Sequence, residues 1–474
     1  MSSSSSSSSA HILIFPYPAQ GHMIPILDFA HQLSLHNLTI TVLVTPKNLP
    51  ILEPLLSKNP SIKPLELPFP GNLKIPKGIE NAKDLSPALI PDMMITMSKL
   101  YDPLLKWFKP QTSPPVAIIS DFFLGWTQNL ACELNIPRIV FSTTCAMALS
   151  IIDLLQTGVL HSTNDDPISI HQIPNSPTFP RWHIPSLRDS FSDRNEDSVT
   201  NRKNLLANVR SWGVVFNSFT ELETVYLDFM KKRTDGLGYK RVWAVGPLFP
   251  NVDPTAKDKD RGGPSSVSPG KILSWLDKCP KNSVVFVCFG SQAALPNKQM
   301  EALAAGLECS KVRFLWCVKE PTEGLAKGAY SALPAGFEER TAGRGMVIRG
   351  GWVPQLLILR HPSVGSFMTH CGWNSTLEGL TSGVVLLAWP MMAEQFLNAN
   401  LIVDQLKVAI RVCEGNELVP DSVKLGELVA ESFSERWRVR AQKLYKAANA
   451  AAQQGGTSFK DLQSLVKDLR GLNK

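Results

Sequence analysis

The 474-residue sequence lacks the cysteine patterns of a disulfide-bonded or zinc-binding protein. Its eight cysteines form no CxxC pair and show no Cys/His spacing typical of a metal site. Two of them lie in the apolar runs around Cys288 and Cys317, where a reduced cysteine packs as a small apolar side chain. These features favour a reducing compartment over the secretory pathway.

Segments that would direct the chain into a membrane are also missing. Met1 is followed by serines up to Ser9, without a basic region or a long apolar run, which differs from a signal peptide. We expect residues 1–9 to form a disordered tail. No stretch reaches the roughly 18 uninterrupted apolar residues of a membrane span, so a cytoplasmic protein is expected.

The charge distribution argues against a nucleic-acid partner. Lysine and arginine number 48 against 41 acidic residues, a formal net charge of +7. This excess is spread along the chain and is not clustered with aromatic residues, as nucleic-acid binding would require.

Short β-rich runs alternate with helical ones along the whole chain, which predicts parallel sheets with crossover helices. In the first half, the predicted strands are Ile12–Phe15, Thr39–Val44, Ala117–Ser120, Arg138–Phe141, Val214–Asn217 and Val242–Val245. In the second half, they are Val284–Phe289, Phe314–Val318, Met346–Arg349, Val364–Thr369, Val384–Trp389 and Ala409–Val412. Helices are predicted at Asn297–Ser310, Glu435–Gln453 and Ser458–Gly471.

A chain of this length is expected to form two domains. The composition changes between Pro247 and Gly270, which hold five prolines and a charged run. We predict a first domain over residues 10–248, a linker over 249–270, a second domain over 271–457, and a final helix over 458–474 that returns to the first domain. Open α/β sheets bind ligands at the carboxyl ends of their strands, so the site is expected between the domains.

The segment from Trp352 to Gln395 carries the densest set of functional residues. The predicted strand Val364–Thr369 is followed by His370-Cys371-Gly372, and a helix begins at Trp373. The unpaired N–H groups at the start of a helix form an anion site. Glu378 follows Asn374 by one turn, so its carboxylate lies on the same face and suits a ribose diol. A structural strand–turn–helix would explain any one of these residues, but not all of them together.

This segment resembles, over its full length and without gaps, the 44-residue signature of plant family-1 secondary-product glycosyltransferases. The resemblance extends through the rest of the chain. It implies the GT-B fold, with two Rossmann-like doubly wound α/β domains facing across a cleft. It also implies that Trp352 stacks on uracil, that the Val353 backbone bonds the uracil edge, and that Gln355 and Glu378 hold the ribose hydroxyls.

The same resemblance assigns the diphosphate and sugar contacts. The diphosphate contacts would be His370, Gly372, Asn374, Ser375 and, after the first strand of the second domain, Ser291. The sugar contacts would be Trp373, Glu394 and Gln395. Two positions depart from the usual pattern, because Val385 replaces a common proline and Glu394 replaces a frequent aspartate. A final glutamine goes with glucose as donor more often than a final histidine does.

His22 and Asp121 are the candidate catalytic residues. His22 follows the first strand, and Asp121 ends another strand of the same predicted sheet, so both lie at one edge. A carboxylate can fix the tautomer of an imidazole and leave its other nitrogen as a base. Both positions match the catalytic pair of the family. Thr143 matches a family residue near the sugar 6-hydroxyl, although a threonine there can simply cap or pack.

No metal and no cofactor are expected, with the UDP-sugar acting as donor substrate. The single Asp-x-Asp triplet, Asp258-Lys259-Asp260, lies in the charged linker and not near the predicted diphosphate contacts. The resemblance implies an inverting transfer of a sugar, most often glucose, to a hydroxyl of a small aromatic acceptor such as a flavonoid, by a monomer.

Several alternatives stay open on the sequence alone. The chain could transfer to carbon, or use xylose or rhamnose as the sugar. A non-catalytic nucleotide-sugar binder predicts a broken base pair, whereas His22 and Asp121 are both present. An epimerase or hydrolase would not need an apolar acceptor chamber, which we predict from residues expected to border the cleft: Phe15, Met93, Met94, Phe122, Phe123 and Met391.

Overall fold

The computed structural model describes residues 9–156, 166–184, 196–233, 238–249, 266–320, 329–350 and 352–473. The predicted tail, apart from Ser9, lies outside these residues. So do positions 250–265, which make up most of the predicted linker and include the Asp258–Asp260 triplet.

The first half of the chain forms a seven-stranded parallel sheet with the order β3-β2-β1-β4-β5-β8-β9. Its strands are β1 His11–Phe15, β2 Thr39–Val44, β3 Ile62–Glu66, β4 Ala117–Asp121, β5 Arg138–Ser142, β8 Gly213–Phe216 and β9 Val242–Ala244. Two short strands, β6 Ile168–Ser169 and β7 Thr178–Phe179, pair separately and antiparallel. Every residue of β4 and β5 is buried, because helices cover both faces of a parallel sheet.

The second half forms a six-stranded parallel sheet with the order β12-β11-β10-β13-β14-β15. Its strands are β10 Val284–Cys288, β11 Arg313–Val318, β12 Gly345–Arg349, β13 Val364–Thr369, β14 Val385–Ala388 and β15 Ala409–Arg411. The two sheets confirm the predicted pair of Rossmann-like α/β domains.

The helices connect successive strands and close the chain. They are α1 Gln20–Ser34, α2 Leu49–Lys58, α3 Ile90–Ser98, α4 Tyr101–Phe108, α5 Thr127–Glu133, α6 Ala146–Gln156, α7 Glu196–Leu206, α8 Thr220–Lys232, α9 Pro269–Leu276, α10 Asn297–Ser310, α11 Phe337–Arg340, α12 Gln355–Leu359, α13 Trp373–Leu380, α14 Gln395–Ala399, α15 Ser422–Glu431, α16 Glu435–Ala452 and α17 Thr457–Gly471. A π-helical turn, Asn400–Gln405, extends α14. Within the described residues, no helix is both long enough and apolar enough to cross a bilayer.

Each strand predicted from the sequence is present, with its ends displaced by at most one residue. The prediction missed β3, because apolar and polar residues do not alternate clearly along it and most of its residues are exposed. Pro64 inside β3 is tolerated because this strand lies at the edge of the sheet. The short strands β6 and β7 were not among the predicted strands.

The strand order places a crevice at the carboxyl edge of each sheet. In the first sheet, β2 and β3 follow β1 on one side, whereas β5, β8 and β9 follow β4 on the other side. The strand order of the second sheet reverses in the same way between β10 and β13. Such a reversal leaves a gap between the loops that follow the two central strands, where ligands bind in open α/β sheets. The candidate residues after β1, β4, β10 and β13 all lie at these two crevices.

The last helix, α17, packs on the first sheet although it follows the second sheet in the chain. Leu462, Leu465, Val466 and Leu469 are buried in the same apolar cluster as residues of β1 and β2. The Asp461 carboxylate accepts a hydrogen bond from the Ala244 N–H of β9 at 2.8 Å. The helix therefore completes the core of the first half.

We expect Leu465→Ala to destabilise the first half of the protein. Leu465 is fully buried, and removing a buried leucine side chain costs about 2–5 kcal/mol. Lys467→Ala, on the exposed side of the same helix, is the matched control and should change the free energy of unfolding by less than about 0.5 kcal/mol. Denaturant unfolding monitored by circular dichroism measures both. Equal effects of the two substitutions would contradict a packed α17.

Candidate active site

His22 and Asp121 meet at the carboxyl edge of the first sheet. Strands β1 and β4 are neighbours, with Phe15 opposite Ser120, so the turn after β1 lies beside the end of β4. The His22 Nδ1 atom is 2.8 Å from the Asp121 Oδ2 atom. Asp121 is fully buried, and its other oxygen accepts a hydrogen bond from the Phe123 N–H at 2.9 Å. The carboxylate is therefore fixed, and it engages one ring nitrogen while Nε2 of His22 points away from it.

Aromatic rings surround the His22 imidazole. The ring of Phe122 stacks on it with centroids 5.8 Å apart, Phe123 lies tilted at 4.8 Å, and Tyr17 approaches edge-on at 5.2 Å. Burial, with the nearby Asp121 carboxylate, raises the pKa of Tyr17 well above its usual value. Tyr17 therefore stays a neutral phenol, which leaves His22 as the base of this group.

Thr143 is a second partner of His22. Its hydroxyl lies 3.2 Å from the His22 Nδ1 atom, on the same side of the ring as Asp121. The sequence predicted a contact of Thr143 with the sugar 6-hydroxyl, and that role stays a prediction. The observed contact gives Thr143 a part in orienting the imidazole.

His370 follows β13, and its ring lies between two glycines. A methyl group added at Gly290 would lie 2.6 Å from ring atoms Cε1 and Nε2, and one added at Gly372 would lie 2.4 Å from Nε2. Burial lowers the pKa of His370 to about 4, so the ring is neutral at physiological pH. Its Nδ1 atom is buried without a hydrogen-bond partner among the described residues. A buried polar atom of this kind is costly unless a ligand pairs with it.

Helix α13 begins at Trp373, directly after Gly372, and contacts the first half of the chain. The Asn374 side-chain N–H₂ donates to the Gly21 carbonyl at 2.5 Å. The Trp373 indole N–H donates to the Asn217 carbonyl at 2.8 Å, and this side chain is buried. The indole N–H is thus used between the two halves, while the predicted contact of Trp373 with the sugar stays a prediction.

The predicted uridine contacts lie together. The Gln355 side-chain N–H₂ donates to the Ser375 hydroxyl at 2.9 Å and to the Glu378 carboxylate at 2.7 Å. Trp352 is partly exposed and precedes Val353, whose carbonyl accepts from the Gln355 N–H at 2.7 Å. Because the Val353 carbonyl is already bonded, the Val353 N–H is the backbone group that could bind the edge of the uracil base.

Glu394 and Gln395 lie at the start of α14. The Gln395 Oε1 atom accepts hydrogen bonds from the N–H groups of Met391 and Met392, at 3.0 and 3.1 Å. Because the turn uses this oxygen, the N–H₂ group is the part of the amide left for the sugar contact, which stays a prediction. Burial raises the pKa of Glu394, while the nearby His22 charge opposes that shift, which places Glu394 close to the candidate base.

Ser291 follows Gly290, and its carbonyl accepts a hydrogen bond from the Lys319 ammonium group. Sequence reasoning missed Lys319, although a basic residue directly after the predicted strand Phe314–Val318 was a usable signal. It also missed the Gly21 and Asn217 carbonyls. Backbone acceptors have no sequence signal, because every residue carries one.

The predicted acceptor-chamber residues are mostly core. Buried positions are occupied by Phe15, Met93, Met94, Phe122 and Met391. Phe123 alone of that set is partly exposed, beside His22. Burial alone does not decide whether these five side chains border an acceptor chamber, so that role stays a prediction.

No three His, Cys, Asp or Glu side chains of the described residues are grouped as metal ligands would be. The predicted diphosphate contacts offer the neutral His370 imidazole, the Asn374 amide, the Ser375 hydroxyl and the start of α13.

The chain matches known proteins along nearly its whole length. Residues 210–415 match the family model for UDP-glucoronosyl and UDP-glucosyl transferase. The chain is 50% identical over 468 residues to UDP-glycosyltransferase 89B2 of Stevia rebaudiana, covering 97% of this chain and 98% of that protein. It is 47% identical to flavonol 3-O-glucosyltransferase UGT89B1 of Arabidopsis thaliana, with 98% and 97% covered.

A solved structure is similar over the same extent. The crystal structure of Arabidopsis thaliana UGT89C1 complexed with UDP-L-rhamnose superposes with a TM-score of 0.80 at 39% sequence identity. The match covers 98% of this chain and 99% of that one. The likeness therefore includes both sheets and both crevices.

We expect Gly290→Ala to weaken UDP binding. Gly290 has a φ of 76°, and an added methyl group would meet the His370 ring at 2.6 Å. Displacing this ring should lower the affinity for UDP by about tenfold or more, because small misplacements in a site are costly. Isothermal titration calorimetry measures this affinity.

Gly343→Ala is the matched control. Gly343 has a φ of 84° but no atom within 4 Å of an added methyl group. Both variants should lose about 1–2 kcal/mol of stability from backbone strain. A loss of UDP affinity in both, or in neither, would show that the packing of Gly290 on His370 does not support the donor site.

Proposed function

This chain belongs to the UDP-glucoronosyl and UDP-glucosyl transferase family, and we propose that it transfers glucose from UDP-glucose to a hydroxyl of a small phenolic acceptor, such as a flavonol. The transfer inverts the anomeric carbon and uses no metal. Among its relatives, a protein 47% identical over 475 residues is named a flavonol 3-O-glucosyltransferase.

The hydrogen bond between Asn374 and Gly21 supports this proposal most directly. Asn374 lies in the first turn of the helix predicted to hold the diphosphate, and Gly21 immediately precedes His22. The bond of 2.5 Å therefore places the candidate base next to the candidate donor site. A transferase needs this proximity, because the acceptor oxygen must reach the anomeric carbon as it loses its proton.

In the proposed mechanism, the Nε2 atom of His22 removes the proton of the acceptor hydroxyl. Asp121 holds the tautomer that carries the proton on Nδ1, and it stabilises the imidazolium that forms. The acceptor oxygen attacks the anomeric carbon from the face opposite UDP, and the bond to the diphosphate breaks. The product of an α-linked UDP-glucose is a β-glucoside.

An aromatic acceptor fits the rings beside His22. Phe123 is partly exposed and lies 4.8 Å from the imidazole, and the neutral Tyr17 lies next to it. Flat aromatic rings stack or meet edge-to-face with such side chains, at roughly 0.5–1.5 kcal/mol per contact beyond the burial of area.

We expect His22→Ala to lower kcat by about 10²–10⁴-fold while leaving the Kd for UDP nearly unchanged, because a general base contributes to the chemical step. His31→Ala is the matched control, since His31 lies on the same helix and its Nδ1 atom bonds Asn59 at 2.8 Å, away from the cleft. Steady-state kinetics with quercetin and UDP titrations provide the readouts. A His22→Ala enzyme with more than about a tenth of the normal rate would exclude this role.

Metal-independent transfer predicts full activity after exhaustive EDTA treatment. The developing charge on the leaving diphosphate would be stabilised by the start of α13 and the side chains of His370, Asn374 and Ser375. Activity with UDP-glucose is measured before and after chelation, with and without added Mg²⁺ or Mn²⁺. Loss on chelation with recovery on adding either ion would contradict the proposal.

UDP-glucose should be used about ten- to hundredfold better than UDP-galactose, because an unpaired buried polar group costs about 1–3 kcal/mol. Glu394 offers a carboxylate and Gln395 an amide N–H₂ to neighbouring sugar hydroxyls. Glu394→Ala should impair transfer from UDP-glucose and spare the Kd for UDP. The exposed Glu417→Ala is the control.

UDP-L-rhamnose is the competing donor, because a solved relative 39% identical was crystallised with it. Competition kinetics with the three UDP-sugars distinguish the candidates. Equal or better use of UDP-galactose, or an unimpaired Glu394→Ala enzyme, would show that this pair does not select the sugar.

A further inference from the structure

Two cysteines face each other at the carboxyl edge of the second sheet. Cys288 is the last residue of β10, and Cys317 is the penultimate residue of β11. Val287 pairs with Trp316 in this parallel ladder, so the next residues, Cys288 and Cys317, lie directly opposite. Residues paired in this way in neighbouring parallel strands point their side chains to the same face of the sheet.

Both cysteines lie near segments that carry predicted donor contacts. Strands β10 and β11 are interior strands, yet both cysteines are partly exposed and free of disulfides. Cys288 lies two residues before Gly290 and three before Ser291, a predicted diphosphate contact. The Glu378 carboxylate is close enough to act electrostatically on the Cys288 thiol.

We propose that Cys288 and Cys317 form an oxidisable dithiol beneath the uridine part of the donor site, and that its closure to a disulfide by a hydroperoxide weakens UDP binding. The location of the dithiol rests on the geometry alone, while its effect on UDP rests on the function proposed above.

The two thiols have different roles. The neighbouring Cys317 thiol lowers the pKa of Cys288, whereas burial raises the pKa of Cys317. The thiolate is the reactive form of a cysteine. Cys288 is therefore the attacking thiol, and Cys317 is the resolving one.

The oxidation takes two balanced steps. The Cys288 sulfur attacks one peroxide oxygen, the O–O bond breaks, and the departing hydroxide leaves as water, with a sulfenic acid on Cys288. The Cys317 sulfur then attacks the Cys288 sulfur, the S–O bond breaks, and a second water leaves with the Cys317 proton. The two thiols lose two electrons, and one hydrogen peroxide is reduced to two waters.

Formation of the disulfide would alter the donor site through the backbone that joins Cys288 to Gly290. Opposing residues of neighbouring strands are about 4.7–4.9 Å apart, within the Cα separation that a disulfide tolerates, but parallel strands hold their Cβ atoms less close than a relaxed disulfide requires. The bond would pull the end of β10 towards β11. Gly290, two residues beyond Cys288, lies against the His370 ring, so its displacement disturbs a predicted diphosphate contact.

The first test identifies the chemistry without relying on activity. Reduced protein is treated with hydrogen peroxide, the remaining thiols are alkylated, and peptides are mapped by mass spectrometry. A Cys288–Cys317 cross-linked peptide is expected, reversible by dithiothreitol. In Cys317→Ala, dimedone should trap a sulfenic acid on Cys288, whereas Cys309→Ala, at an exposed cysteine, should still form the cross-link. Absence of the cross-link in the unaltered protein would overturn the proposal.

The second test measures UDP affinity by calorimetry before and after peroxide. Oxidation should lower the affinity by about tenfold, with recovery on reduction. The affinity of Cys288→Ala should not change on peroxide treatment. Cross-linking without loss of affinity would overturn the regulatory part of the inference. Failure of the reduced protein to bind UDP would instead contradict the proposed function and leave the cross-linking result standing.

Discussion

The amide of Asn374 lies at the start of one domain's central helix and bonds the backbone of the other domain one residue before His22. The neighbouring Trp373 bonds the carbonyl of Asn217 from the same turn. Both bonds join the two halves of the chain next to the crevices. Each crevice exists because the strand order of its own sheet reverses. Transfer of a sugar, however, needs both crevices. The spacing between the proposed base and the proposed donor site therefore depends in part on this helical turn, together with other bonds between the halves such as Tyr226–Gln405 and His183–Glu414.

Burial, more than net charge, sets the chemistry at both crevices. Asp121 is fully enclosed and is paired on both oxygens, so its carboxylate is held against the His22 Nδ1 atom. The pKa of His370 falls and that of Tyr17 rises, and both rings are therefore neutral. The overall excess of basic residues contributes little here, because surface charges are screened within about 10 Å at ordinary ionic strength.

The sequence predicted the two sheets well because parallel strands are continuous apolar runs separated by helical periods. The pairing of His22 with Asp121 followed from strand ends alone, since neighbouring parallel strands end at one edge. Features set by tertiary packing could not be predicted. The edge strand β3 contains Pro64 and little apolar alternation, the Gln395 oxygen is taken by a local turn, and the buried residues Met93 and Met94 give the same signal as cleft residues.

The position of α17 has a consequence for biosynthesis. The apolar face of the first sheet that includes residues of β1 and β2 is covered in part by Leu462, Leu465, Val466 and Leu469. Domains fold during synthesis from the N-terminal end. Here, however, the first domain cannot complete its core until the ribosome has made the second domain and the helix that follows it. The nascent first domain therefore carries an open apolar surface through most of translation, when chaperones would have the longest access to it.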